Sequence, residues 1–111
     1  MSCLYSFLLE NGDIYMDTGI RPEVIEEIKE FAKEFDVDKV ILFGSRARGD
    51  YRRTSDIDLA VSGGDVAQFA LAVDEETSTL LMYDVVDLAL PIQEELRESI
   101  RREGVILYEK I

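Results

Sequence analysis

Two aspartates, Asp56 and Asp58, stand two residues apart at the start of a run that becomes wholly apolar, Leu59-Ala60-Val61. On an extended strand such residues project to the same face, roughly 6–7 Å apart along the backbone. Two carboxylates held side by side repel each other unless something positive lies between them. A hard divalent cation such as Mg2+ meets that need, because it takes oxygen ligands and keeps open positions for phosphates. Ten residues before Asp56, separated from it by Arg46 to Ser55, stands Gly44-Ser45. Gly44 lets the backbone turn tightly and approach a ligand without a Cβ in the way. Ser45 offers a hydroxyl and an N–H, and a helix starting there would present free N–H groups to an anion.

The elements that must position these residues follow from the flanking pattern. Val40-Ile41-Leu42-Phe43 is short, apolar, rich in β-branched and aromatic residues, and stops at a glycine, which predicts a buried strand. Asp56 to Val61 predicts a second strand, exposed at its start and buried further on. From Lys39 to Ser62 five basic residues (Lys39, Arg46, Arg48, Arg52, Arg53) oppose three acids (Asp50, Asp56, Asp58), within a chain whose net charge is -12. Local positive charge beside an acid pair is what a bound nucleoside triphosphate requires.

Gly-Ser, ten residues, then Asp-x-Asp between two apolar strands resembles the nucleotidyltransferase superfamily that includes DNA polymerase beta. At this length the chain is most similar to the minimal nucleotidyltransferases, many of which are encoded beside a HEPN-domain partner in toxin–antitoxin pairs. The resemblance covers about Pro22 to the C-terminus. It implies an α/β (α+β) nucleotidyltransferase fold, a single mixed sheet flanked by helices. It also implies transfer of AMP from ATP with two Mg2+ ions. Asp56 and Asp58 would hold both ions. Gly44 and Ser45 would hold the β- and γ-phosphates. Arg46 or Arg48 would neutralise the leaving pyrophosphate, with surface solvation as the alternative for each. The family's third carboxylate lies on the neighbouring strand. Asp87 matches it and is the one acid inside the apolar run, a costly place for a charge without a metal or partner. Asp84, at the strand entrance, is the competing candidate. The implied acceptor is a protein hydroxyl, a tyrosine of a HEPN toxin, whose modification would silence it. The alternatives are transfer to a small molecule such as an aminoglycoside, and an antitoxin that neutralises by contact alone.

The remaining sequence bounds this reading. A chain of 111 residues suffices for one domain with one core. No apolar run approaches the ~20 residues of a membrane span, and the N-terminus lacks signal-peptide features. The one cysteine, Cys3, has no internal partner, which fits a reducing cytoplasm. There is no histidine, which excludes His-based acid–base chemistry and His-ligated metals. A strongly acidic chain argues against a nucleic-acid template and favours a basic protein partner, a cationic small molecule, or plain solubility.

In chain order, residues 1–18 read as an N-terminal extension, or a small hairpin turning at Asn11-Gly12, with 19–111 as the nucleotidyltransferase domain. Pro22 to Phe35 predicts an amphipathic helix. A second helix is expected from an Asp65 N-cap to about Leu81, a third strand from Tyr83 to Leu90, a last helix from Pro91 to Glu103, and a final strand from Val105 to Glu109. That strand is expected to cover one side of the sheet or reach a dimer edge. Many relatives continue into a second, helical domain. Its absence here leads to the expectation that a homodimer or hetero-oligomer completes the site.

Overall fold

The computed structural model describes residues 17–111; the hairpin or extension expected before them, with Cys3, lies outside the described residues. Among the described residues four helices and four strands alternate as α1 (Pro22–Glu34), β1 (Lys39–Phe43), α2 (Ser45–Arg48), β2 (Ile57–Ser62), α3 (Val66–Glu76), β3 (Tyr83–Asp87), α4 (Glu94–Glu103) and β4 (Val105–Glu109). The strands form one mixed sheet in the order β3-β2-β1-β4. β1 runs antiparallel to both β2 and β4, while β2 and β3 are parallel. β4 is therefore an edge strand.

Strand parity divides the apolar side chains between two layers. Val40 and Leu42 of β1, with Ile57, Leu59 and Val61 of β2, face α1 and α3 and meet Val24, Ile28, Phe69 and Val73 in the main core. Phe43 and Ala60 face the other way, against Ile100 of α4, with Val86 at the margin. The sheet is thus a central layer between α1 with α3 and α4.

Local chemistry sets the element ends. Pro22 occupies the first turn of α1, where its missing N–H costs nothing. Asp65 caps α3 by accepting a hydrogen bond from the Gln68 N–H at 3.1 Å. The third helix stops at Glu76 rather than at Leu81. The Thr77 hydroxyl bonds to the Val73 carbonyl and pairs with the Tyr83 hydroxyl. Ser78 donates from both its N–H and its hydroxyl to the Glu27 carboxylate, each at 2.7 Å. These side-chain bonds compete with further helical turns. They also hold the Glu27 carboxyl below its usual range, the Ser78 N–H contributing most.

The third strand likewise ends at Asp87, not at Leu90. The Asp87 carboxylate accepts from the Ala89 N–H at 2.9 Å, and its carbonyl accepts from the Leu90 N–H. This is an Asp-initiated turn. It defers the start of α4 from Pro91 to Glu94.

Candidate active site

Gly44 leaves β1 with φ 78° and ψ -158° and opens the four-residue α2. Phe43 lies opposite Asp58 in the β1–β2 register, so the Gly44 turn falls beside that carboxylate. A Cβ added at Gly44 would sit 2.3 Å from Asp58 Oδ2. The glycine is therefore required twice, for its left-handed φ and for the close approach of the Asp58 carboxylate. Ser45 follows half-buried at the start of α2. Gly44 and Asp58 are thus neighbours, with Ser45 next in the chain, and exposed Asp56 lies near enough to Asp58 for its charge to act on it.

The third carboxylate beside this pair is Asp84, not Asp87. In the parallel β2–β3 register Asp58 lies opposite Asp84, whereas Asp87 lies opposite Val61, on the far end of the strand. Parity agrees: Asp84 shares its face with Val86, towards α4, as Asp58 does with Ala60. Asp87 shares the parity of Val85, which packs towards α1 and α3. Asp87 closes its strand through the Asp-initiated turn, which explains its acid without a ligand.

Electrostatics also group Asp84 with the pair. Asp58 is half-buried, and burial first, then the charges of Asp84 and Asp56, push its carboxyl above the ordinary aspartate range; Arg48 pulls it partly back. The raised value fixes the sign of a pH effect. The folded protein binds the Asp58 proton more tightly than the unfolded chain does. The resulting destabilisation is absent below the unfolded aspartate range and complete above the raised folded value. Asp58→Asn is therefore expected to raise the melting temperature of the metal-free protein by a few degrees at pH 7. The advantage over the native chain should vanish in acid, as thermal melts at both pH values would show.

The two arginines part ways. Arg46 is 2% exposed and carries no free donor edge towards the carboxylates. Its guanidinium donates to the Thr18 carbonyl at 2.9 Å, to that of Ser55 at 3.1 Å, and to those of Arg53 and Arg52 at 3.2 and 3.4 Å. It also stacks over the Tyr51 ring at 4.8 Å. The expectation that Arg46 meets the leaving pyrophosphate is thereby corrected: its side chain is the internal brace of the loop that delivers Asp56. Arg48 is exposed and bonds to Asp50 and Glu103, which raise its pKa. It remains close enough to Asp58 to act on its charge.

The carboxylate row fits a divalent cation by one observation, the placement of Asp58 directly opposite Asp84 across β2 and β3, which sets two oxygen-donor side chains side by side. It is an open row rather than a closed cage. Among the described residues no three such groups already converge as the ligands of one ion.

The family model for polymerase beta nucleotidyltransferases matches residues 26–111. The chain belongs to that family. A Methanocaldococcus jannaschii protein named as a protein adenylyltransferase is 42% identical over 81 residues, covering 65% of this chain and 79% of the relative. A solved structure described as a minimal nucleotidyltransferase superposes with a TM-score of 0.62 at 28% identity, over 82% of this chain and 96% of that one. A toxin–antitoxin crystal structure with AMP-PNP superposes at 0.58 and 25% identity, over 78% of this chain and 73% of the other. The expected single mixed sheet with flanking helices is thus the family's fold, and the chain is an enzyme of the nucleotidyltransferase class. No described helix is long and apolar enough to cross a membrane.

For a nucleotidyltransferase the Gly44 approach is a sensitive point. Gly44→Ala should lower the melting temperature in thermal melts, since a Cβ in this backbone conformation (φ 78°, ψ -158°) costs about 1–3 kcal/mol. It should also weaken binding of ATP with Mg2+, because the added Cβ must displace the Asp58 carboxylate. Isothermal titration with ATP and Mg2+ checks it.

Proposed function

We propose that this nucleotidyltransferase transfers AMP from ATP to a hydroxyl of a partner protein, and that the partner is a HEPN-type toxin modified on a tyrosine. The observation that carries the reading is the placement of Asp58 opposite Asp84, with Asp56 two residues away and Gly44-Ser45 alongside. Names borne by relatives support the substrate class: one is named for protein adenylyltransfer, and one structural neighbour is a toxin–antitoxin with a bound ATP analogue.

Asp56, Asp58 and Asp84 would hold divalent ions, and bound Mg2+ would neutralise phosphate charge and lower the pKa of the acceptor hydroxyl. The chain's own residues do the rest. Ser45 and the Gly44 backbone hold the triphosphate tail. The acceptor oxygen forms a bond to the α-phosphorus, the bond from that phosphorus to the bridging oxygen breaks, and pyrophosphate leaves with the electron pair. Asp84, exposed at the strand start, receives the hydroxyl proton. Arg48 offers positive charge near Asp58, where the phosphates lie.

The test uses ATP labelled in the α-phosphate, Mg2+, and the co-expressed partner. Label on the partner, chased by pyrophosphate, supports the reading. Label that appears only with γ-labelled ATP, or only on small molecules, refutes it.

A further inference from the structure

The candidate active site leaves one large feature unused. A cleft of about 890 Å3 opens between the start of α1 and the segment joining α3 to β3. Its volume is that of a ligand pocket. Ile20, Val24 and Leu81 form an apolar lining, and Arg53 and Thr54 close one side. Leu80 and Met82 stand at its lip, 100% and 64% exposed. Large apolar side chains left in water around a concavity mark a place where something docks.

Two observations narrow the occupant. The first is charge. Acids outnumber bases 24 to 12 in this chain, and the other described basic side chains, except Arg97, are engaged with carboxylates or, for Arg46, with carbonyls. The guanidinium groups of Arg52 and Arg53 have no hydrogen bond or ion pair among the described residues. Both lie on a backbone whose carbonyls are fixed from beneath by buried Arg46. An acidic group is repelled by most of this surface and attracted here. The second observation is continuity with the carboxylate row. The Ile57 N–H donates to the Met82 carbonyl at 2.8 Å, so the lip of the cleft adjoins the starts of β2 and β3. Thr54, on its wall, is two residues from Asp56.

The geometry points to an acceptor-docking cleft: an extended segment of the protein substrate seats an apolar side chain between Leu80 and Ile20 and an acidic group on Arg53, and so brings its hydroxyl round the strand ends to Asp56 and Asp84. This rests on the protein-acceptor reading proposed above. It assigns that acceptor a sequence chemistry, an apolar anchor with a carboxylate close to the modified hydroxyl.

Leu80→Asp and Arg53→Glu test it, since both side chains are exposed, where substitutions usually change stability little, and circular dichroism checks the fold of each. The first probe is 1-anilinonaphthalene-8-sulfonate, an aromatic body with one anion, followed by fluorescence. The second is the co-expressed partner, followed by titration and by transfer kinetics. Each variant should weaken binding of dye and partner at least ~10-fold and raise the KM for the partner by the same factor. The kcat and the affinity for ATP with Mg2+ should stay within twofold of the native chain. Partner binding equal to the native chain's overturns the inference, as does a parallel fall in ATP affinity, which would give the cleft to the nucleotide. Self-association of the native chain that Leu80→Asp abolishes would give it to a second copy, and equally overturns the inference. If the native chain binds the partner through the cleft but never labels it, the adenylyl-transfer reading fails while the docking cleft stands.

Discussion

Asp58→Asn and Asp84→Asn should each lose AMP transfer by ~10²–10³-fold, while Asp87→Asn retains it within a few-fold. The two groups of variants differ by one positional argument. Asp58 and Asp84 are direct neighbours across parallel β2 and β3, and the charge of Asp84 already acts on Asp58. An asparagine at either position keeps the shape but removes negative charge that would hold a divalent cation against the phosphates and, at Asp84, receive the acceptor proton. Loss of one such pre-organised group commonly costs ~3–4 kcal/mol in the transition state. Asp87 is held instead by the Ala89 N–H, a bond that an asparagine oxygen also accepts. Single-turnover rates at saturating ATP and partner, with circular dichroism to confirm folding, make the comparison. Equal loss in Asp84→Asn and Asp87→Asn would contradict the assignment.

Arg46→Met should be strongly destabilising, because Arg46 is only 2% exposed. It removes the shared partner of four carbonyl groups, those of Thr18, Arg52, Arg53 and Ser55. The Thr18 contact is buried and the other three are partly buried; a hydrogen bond to a charged group contributes about 1.5–3 kcal/mol, and an unsatisfied buried acceptor costs about 1–3 kcal/mol. A loss of roughly 3–5 kcal/mol would lower the melting temperature by more than ~12 °C in a domain of this size. Arg46→Lys should recover little, because an ammonium cannot reproduce a planar fork addressing several oxygens. Differential scanning calorimetry of both variants is the check. A lysine variant as stable as the native chain would show that charge alone, not the fork, holds the loop.

These two positions also show where sequence reasoning reaches its limit. The Gly-Ser turn, the Asp-x-Asp pair, the strands on either side and the Asp65 cap are local, and each is legible from residue type and spacing. The choice between Asp84 and Asp87 is not local. It depends on which residue of β3 stands opposite Asp58, and that register exists only once two strands whose starts lie 26 residues apart, Ile57 and Tyr83, are paired. Once the strand bounds are known the choice follows: Asp58 is second in Ile57–Ser62 as Asp84 is second in Tyr83–Asp87, and parallel strands that start together align such positions, whereas a strand read from Asp56 makes Asp58 third. Arg46 is not legible locally either. Nothing in Ser45-Arg46-Ala47-Arg48 distinguishes the arginine that turns inward from the one that stays in water; the carbonyls of Thr18, Arg52, Arg53 and Ser55, brought together by the fold, decide it. The premature ends of α3 and β3 follow from Thr77, Ser78 and Asp87, whose side chains bond to backbone or to a distant carboxylate. Periodicity alone overestimates both elements.

Intact-mass analysis of the partner, co-expressed with the native chain and with Asp84→Asn and set beside rescue of growth, separates adenylyl transfer from contact. The expected result is a mass gain of one AMP unit on the partner with the native chain, and neither the gain nor full rescue with Asp84→Asn. A partner whose mass never changes while growth is rescued by both proteins would contradict it, and neutralisation by contact would take its place.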